Sequence, residues 1–449
     1  MSRQQFAARN NIGSVLTFQK SGSTSSFDPD ISFSSGTRRV SWKLNNGTNV
    51  TQTAGNSITY TGFTSDTGIR TIEMRGNSFS GLNQFILDGD NLYGNLNLPF
   101  SGLGGDFRVQ GNSGLTGITH VPSSEIFSVY FANNCNLTGN LNLPLSGLGG
   151  SFWVNSNPNL TGITHVPSSE IFSLYFANNC NLTGNLNLPL SGLGGWFRVL
   201  SNSGLTSITH VPSTQIFGQY YANNCNLTGN LNLPFSGLGG SFSVYSNPNL
   251  TGITHVPSSQ FIGYQAYLCN LTGNLNLPFS RLGGDFIVGG NSGLTSITHV
   301  SSSEIFSGYR AFNCNLTGNL NLPLSGLGGR FWVHNNPNLT GITHVPSTQI
   351  FTSYYAYNCD LGYVNFKPLS GATLVSVYIG DNNMTASDVN HILVDFSGNA
   401  THNPTGWSNI DLDIGGTNDD PDSGSGGYNG IAAKNFLTGS PYNWIITTS

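Results

Sequence analysis

Six histidines recur at one place in a repeated Thr-His-Val stretch: His120, His165, His210, His255, His299 and His344. Imidazole is the commonest metal ligand, so such a ladder raises the chemistry of a bound ion. If each step is two stacked strands, successive rings stand roughly 10 Å apart, while zinc holds nitrogen at about 2.0 Å. No single ion bridges two rungs, and a structural place on the convex side is expected. Cys135, Cys180, Cys225, Cys269, Cys314 and Cys359 form a second ladder with the same step. Disulfide Cα atoms lie within about 7 Å, so six free, buried thiols are expected, serving packing rather than redox chemistry.

Carboxylate chemistry fares no better. Glycoside hydrolysis needs two carboxylates in separate protonation roles. Glu125, Glu170 and Glu304 share one repeat position that Gln215, Gln260 and Gln349 fill elsewhere, as an exposed turn position would allow. There is no G-x-S-x-G elbow, and the cysteines lack a neighbouring cation to lower their pKa. The repeated Ser-Gly-Leu-Gly-Gly segments have no following Lys, which reads as turns rather than phosphate loops. The acidic loop Asn418 to Gly424 could offer oxygens to calcium, but it lacks EF-hand spacing and a bidentate Glu, and a solvated loop is expected. Sequons such as Asn136-Leu137-Thr138 abound but matter only in a secretory context. No catalytic residue, metal site or cofactor is therefore assigned.

The elements that position these ladders come from one repeat. Phe107-Arg108-Val109 returns as Phe152-Trp153-Val154, Phe197-Arg198-Val199, Phe242-Ser243-Val244, Phe286-Ile287-Val288 and Phe331-Trp332-Val333, at a spacing of 45 residues and once 44. Each unit has two related halves, one running from Phe107 through Asn112 to Leu115-Thr116-Gly117-Ile118, the other from Tyr130 through Cys135 to Leu137-Thr138-Gly139. Alternation of Phe107 and Val109 inward with Arg108 outward is the period of a strand. One such coil cannot cover its own apolar face, so neighbours must stack around a continuous core with a parallel sheet.

Both halves follow L-x-L-x-x-N/C-x-L over about 22 residues, a pattern that resembles leucine-rich repeats. The Leu-Thr-Gly continuation resembles the plant-type subclass, which also occurs in bacteria and their viruses. That resemblance covers roughly residues 69 to 414 and implies that the six cysteines occupy the family's buried Asn/Cys position, shared by Asp90 and Asn382. The expected fold is a β-rich leucine-rich-repeat solenoid with a parallel β-sheet, about sixteen coils in 45-residue double repeats between Ile72 and Ile414, with a small N-terminal β module and a C-terminal α/β cap. The expected divisions are an arm or attachment segment over 1–25, a β-rich module over 26–68, the solenoid over 69–380 and a last coil and cap over 381–449. In the cap, Thr385-Ala386-Ser387-Asp388 ahead of Val389, Ile392, Leu393 and Phe396 predicts a capped helix. A second short helix near Ile431 to Leu437 and a strand at Trp444-Ile445-Ile446 are expected to follow. The terminus is similar to caps of repeat proteins encoded by phages and Bacteroidetes-like bacteria.

Of 449 residues only 8% are charged, about a third of the ordinary share, and the net charge is −5. Nucleic-acid binding needs clustered cations, and none occur. No apolar run reaches the roughly 20 residues of a membrane span, so no membrane insertion is expected. The start, Met1-Ser2-Arg3-Gln4-Gln5, carries no apolar signal-peptide segment, so export by the usual route is not expected.

The copies vary mainly at outward strand positions. These carry Arg108, Phe131, Trp153, Phe176, Trp196, Arg198, Tyr221, Tyr245, Tyr267, Arg310, Phe312, Trp332, His334, Tyr355 and Tyr357. Trp, Tyr and Arg are the residues that carry binding energy, and an apolar face of that extent marks an interaction surface. The expectation is a non-enzymatic virion surface protein of a tailed bacteriophage, acting as a fibre, receptor-binding or capsid-decoration subunit. Its partners would be other virion proteins through the N-terminal region and a host-surface glycan or protein through the sheet face, with self-association into a homo-oligomer compatible with the repeats. The alternative is a bacterial cell-surface leucine-rich-repeat adhesin; an enzyme is a distant third.

Overall fold

The computed structural model describes residues 14–21, 30–33, 39–43, 49–53, 69–76, 81–99, 101–369, 374–402 and 407–449. Chain contacts divide it into two compact units, Met1–Asn226 and Leu227–Ser449. Each is a parallel β-solenoid of stacked coils. In the first unit the rungs Leu82–Ile86, Leu103–Arg108, Phe127–Phe131, Leu148–Trp153, Phe172–Phe176, Gly195–Arg198 and Phe217–Tyr221 pair in parallel, neighbour to neighbour. The second unit repeats the arrangement with Leu238–Ser243, Ser258–Gln265, Phe279–Ile287, Phe306–Arg310, Gly329–Trp332 and Phe351–Tyr355. The sheet then takes three short strands, Ser376–Tyr378, Asp411–Asp413 and Ile445–Thr447.

The regular turns number about 13 rather than the about sixteen expected from sequence. Ile72 lies not in a coil but in Ile69–Gly76, which pairs antiparallel with Ser14–Ser21 and Arg39–Lys43. At the other end, the last strands are separated by helical segments.

Register keeps inward residues on inward residues. Tyr130 lies beside Phe107 and Phe152, and Phe131 beside Arg108 and Trp153. Phe107, Tyr130, Phe152 and Tyr175 are wholly buried, stacking at 4.8, 5.4 and 4.9 Å in succession. Opposite them, the Leu-Thr-Gly segments pair two by two, as in Thr138–Leu143 with Asn159–His165 and Thr317–Leu322 with Asn338–His344. These supply Leu141, Leu143 and Ile163 to the core.

At the bend between the two walls sits a buried asparagine. The Asn112 amide donates to the carbonyls of Leu87 and Val109 at 2.8 and 2.7 Å, and its oxygen accepts from Leu92 N at 2.9 Å. Asn336 repeats this with Ala311, Val333 and Leu316. Buried backbone groups freed by the turn thus find partners in the side chain. The opposite bend needs glycine: Gly150 has φ +59°, and a β-carbon there would fall 2.1 Å from the Ser128 carbonyl oxygen.

The N-terminal strands close the first unit's sheet. Ser14–Ser21 also pairs antiparallel with Leu92–Leu98, and Asp30–Phe33 with Leu82–Ile86. Residues 14–21 of the expected arm therefore lie in a sheet, and the remainder of 1–25 falls outside the described residues. Arg39–Lys43 pairs antiparallel with Asn49–Thr53. In the second unit, the predicted helix runs from Ala386 to His402 with Val389, Ile392, Leu393 and Phe396 fully buried. Its box is closed by Thr385 N donating to Asp388 Oδ2 at 3.1 Å and Asp388 N donating to Thr385 Oγ1 at 3.3 Å. The second helix is Gly430–Thr438. Trp444 packs on Phe396 and donates its indole N–H to the Trp407 carbonyl at 2.6 Å. Among the described residues, no helix is long and apolar enough to cross a membrane.

Candidate binding face

Because Phe107 and Val109 turn inward, Arg108 and its counterparts on the neighbouring rungs must turn outward, and parallel in-register pairing lines them up. In the first unit they form one unbroken column. The Arg108 guanidinium lies over Phe131 at 5.4 Å, Phe131 stacks on Trp153 at 4.6 Å, and Trp153 on Phe176 at 5.4 Å. Arg198 then lies over Phe176 at 4.9 Å and over Tyr221 at 5.7 Å. Its guanidinium is steadied by Gln219, which accepts from Nε at 3.0 Å. Trp196 stands beside this column, 5.2 Å under Arg198, and is the most exposed of the candidate tryptophans at 45%.

The second unit carries two columns. In one, Arg310 lies over Trp332 at 5.3 Å, Trp332 stacks on Tyr355 at 5.7 Å and Tyr355 on Tyr378 at 4.7 Å. Trp332 Nε1 donates to Ser353 Oγ at 2.8 Å, fixing the ring. The other column has Tyr245 on Tyr267 at 4.6 Å, then Phe312 on His334 at 5.2 Å and His334 on Tyr357 at 4.5 Å. Gly289 occupies the rung between Tyr267 and Phe312. Where this second column is aromatic, the first unit carries Gln110, Asn133, Asn155, Asn178, Leu200 and Asn223.

The sequence-predicted face residues lie on the rung strands or, for Tyr245, Tyr267, Phe312, His334 and Tyr357, two residues past their ends, and all but the exposed Trp196 are half-buried. Along each column most rings stack on a neighbour. A cation above a ring and stacked rings each add roughly 0.5–1.5 kcal/mol beyond area burial, so the columns also stiffen the sheet.

The ladders lie elsewhere. Every ladder histidine hydrogen-bonds through Nε2 to a core tyrosine hydroxyl: His120–Tyr130, His165–Tyr175, His210–Tyr220 and His299–Tyr309 at 2.9 Å, His255–Tyr264 at 3.1 Å and His344–Tyr354 at 2.8 Å. Burial pushes all six imidazoles down to about 3, so they are neutral. Sequence reasoning missed this pairing. Its signal was the constant interval of ten residues between His and Tyr, nine in the short repeat.

The six thiols are free, five buried and Cys180 half-buried. Each donates to a carbonyl, as Cys135 does to Val109 at 3.2 Å. Burial pushes them up to about 11, which leaves no thiolate for chemistry.

Glu125 and Glu170 receive the same backbone bond as Gln215 and Gln349, each amide donating to the serine hydroxyl two residues before it. Glu304 pairs with Arg281 at 2.7 Å. In the 415–427 loop the polar side chains serve the backbone. Asn418 Oδ1 accepts from Asn382 N and Met384 N, and Asp419 Oδ2 from Ala386 N. Asp422 accepts from Ser425 and Gly424, which holds its carboxyl below the usual range. Among the described residues no three His, Cys, Asp or Glu side chains converge on a point where they could hold one ion.

No family model, curated protein or solved structure matches the chain.

Proposed function

We propose that the chain is a non-enzymatic surface protein of a tailed bacteriophage virion, a fibre, receptor-binding or capsid-decoration subunit, built on a leucine-rich-repeat solenoid. Its N-terminal region attaches it to other virion proteins, and its rung sheets present an aromatic and arginine face to a host-surface glycan or protein. The observation that carries the binding role is the pair of facts that face side chains differ from copy to copy while the core beneath them repeats. A position that varies on a constant scaffold is not dictated by folding, and Trp, Tyr and Arg there are the groups that anchor interfaces.

The repeat type rests on the L-x-L-x-x-N/C-x-L pattern together with the buried Asn112 and Cys135 positions, whose side chains bond the bend carbonyls. The test has two arms. Mass spectrometry and immunogold labelling of purified particles should find the chain on tail or capsid; label on bacterial cells instead would favour a cell-surface adhesin. In the second arm, the Trp153→Ala, Trp196→Ala, Trp332→Ala triple variant should keep its circular dichroism and bind host envelope at least tenfold more weakly. Undiminished binding would sink the face as the interaction surface.

A further inference from the structure

The second-unit column breaks at one rung, and three departures from the repeat meet there. Gly289 stands where other copies carry Tyr245, His334, Gln110, Asn155 or Leu200. Leu268 sits in the left-handed region at φ +53° and is 57% exposed, whereas the equivalent position elsewhere holds Asn134, Asn179, Asn224, Asn313 or Asn358. A leucine rarely takes that conformation, and strain of this kind gathers at functional sites. The 44-residue spacing between Phe242 and Phe286 arises within Ser258–Gln265, the strand that runs into Tyr267: Ser258 stands six residues before Tyr264, whereas Ser123 stands seven before Tyr130.

The result is a cleft of about 410 Å³ lined by Tyr267, Leu268, Gly289 and Phe312, with Gln265 and Arg310 among its polar groups. Tyr267 has Tyr245 stacked on one face, which leaves the face toward Gly289 open to the cleft. Phe312 leans over the glycine, its ring 3.0 Å from where a β-carbon would be, and so forms part of the floor. The open face of Tyr267 is thus a stacking wall, with Phe312 beneath it. Arg310 Nε is buried without a hydrogen-bond partner, and its guanidinium reaches Asp285 only at 3.7 Å.

We infer that this cleft seats the pyranose ring of an oligosaccharide against Tyr267 and over Phe312. The inference rests on the reading of the rung sheets as a binding face. A pyranose has an apolar C–H surface for each aromatic face and hydroxyls around its edge for the Gln265 amide and the Arg310 guanidinium. A flat hydrocarbon ring would leave those polar groups unanswered.

The test is titration of the full chain with malto-, cello-, chito- and galacto-oligosaccharides of four to six residues, by calorimetry and saturation-transfer NMR. At least one series should bind saturably, and Gly289→Tyr, which refills the rung as Tyr245 does and displaces Phe312, should weaken it at least tenfold. Tyr267→Ala provides the same loss by removing a wall, should Gly289→Tyr fail to fold. Full affinity in both variants would overturn the cleft while leaving the face reading intact. Binding of host envelope without binding of any of these saccharides at millimolar concentration, or binding of indole in their place, would overturn the pyranose and again leave the face. A chain that binds neither saccharide nor envelope would defeat both.

Discussion

His120 and Tyr130 meet in the core by one hydrogen bond, and the same bond recurs in every double repeat. Its partners are buried, so neither can turn to water instead. Tyr130→Phe leaves the His120 nitrogen unanswered and should cost about 1–3 kcal/mol in a urea melt. The histidines also set a pH limit. With the folded imidazoles lowered to about 3 and an unfolded value near 6.5, the unfolded chain binds more protons as pH falls. Stability from keeping them neutral is complete above about pH 6.5 and lost progressively between 6.5 and 3, about 2 kcal/mol per histidine at pH 5. Thermal midpoints should therefore be flat from pH 7 to 8 and fall steeply below 6; a midpoint unchanged at pH 4.5 would contradict the buried, neutral ladder.

Gly150→Ala would place a methyl 2.1 Å from the Ser128 carbonyl oxygen on a backbone at φ +59°. It should cost at least ~3 kcal/mol, combining left-handed strain with displacement of a rung, as read by denaturant midpoint. Alternation around Phe107-Arg108-Val109 made the rung strands legible, because burial on one face forces a period of two. The box at Thr385 and Asp388 announced its helix equally well. The His–Tyr pairing was hidden because its members lie on different strands and meet only once the path of the coil is known. Likewise, sequence located Phe131, Trp153 and Phe176 on one face, but not that they cover one another. That follows from in-register parallel pairing, which places like positions one strand apart. The antiparallel pairing of Ser14–Ser21 with Ile69–Gly76 joins segments too far apart in sequence for local alternation to foresee.

At the scale of the molecule, cohesion comes from apolar stacking and backbone ladders rather than from charge. With 8% charged residues, raising NaCl from 0.05 to 1 M should move the thermal midpoint by less than about 3 °C, since there is little surface electrostatics to screen. A larger fall in midpoint would mean that pairs such as Arg281–Glu304 matter more than their exposure suggests. The copies are nearly identical. A coil that docks one repeat out of step meets the same phenylalanines, leucines and bend asparagines as the proper neighbour, so mis-stacking is almost isoenergetic in the core. The 44-residue repeat breaks that degeneracy: a coil slipped past it would face a coil one residue short. The irregular rung thus acts as an index mark for assembly, the one notch against which otherwise interchangeable parts are counted into place.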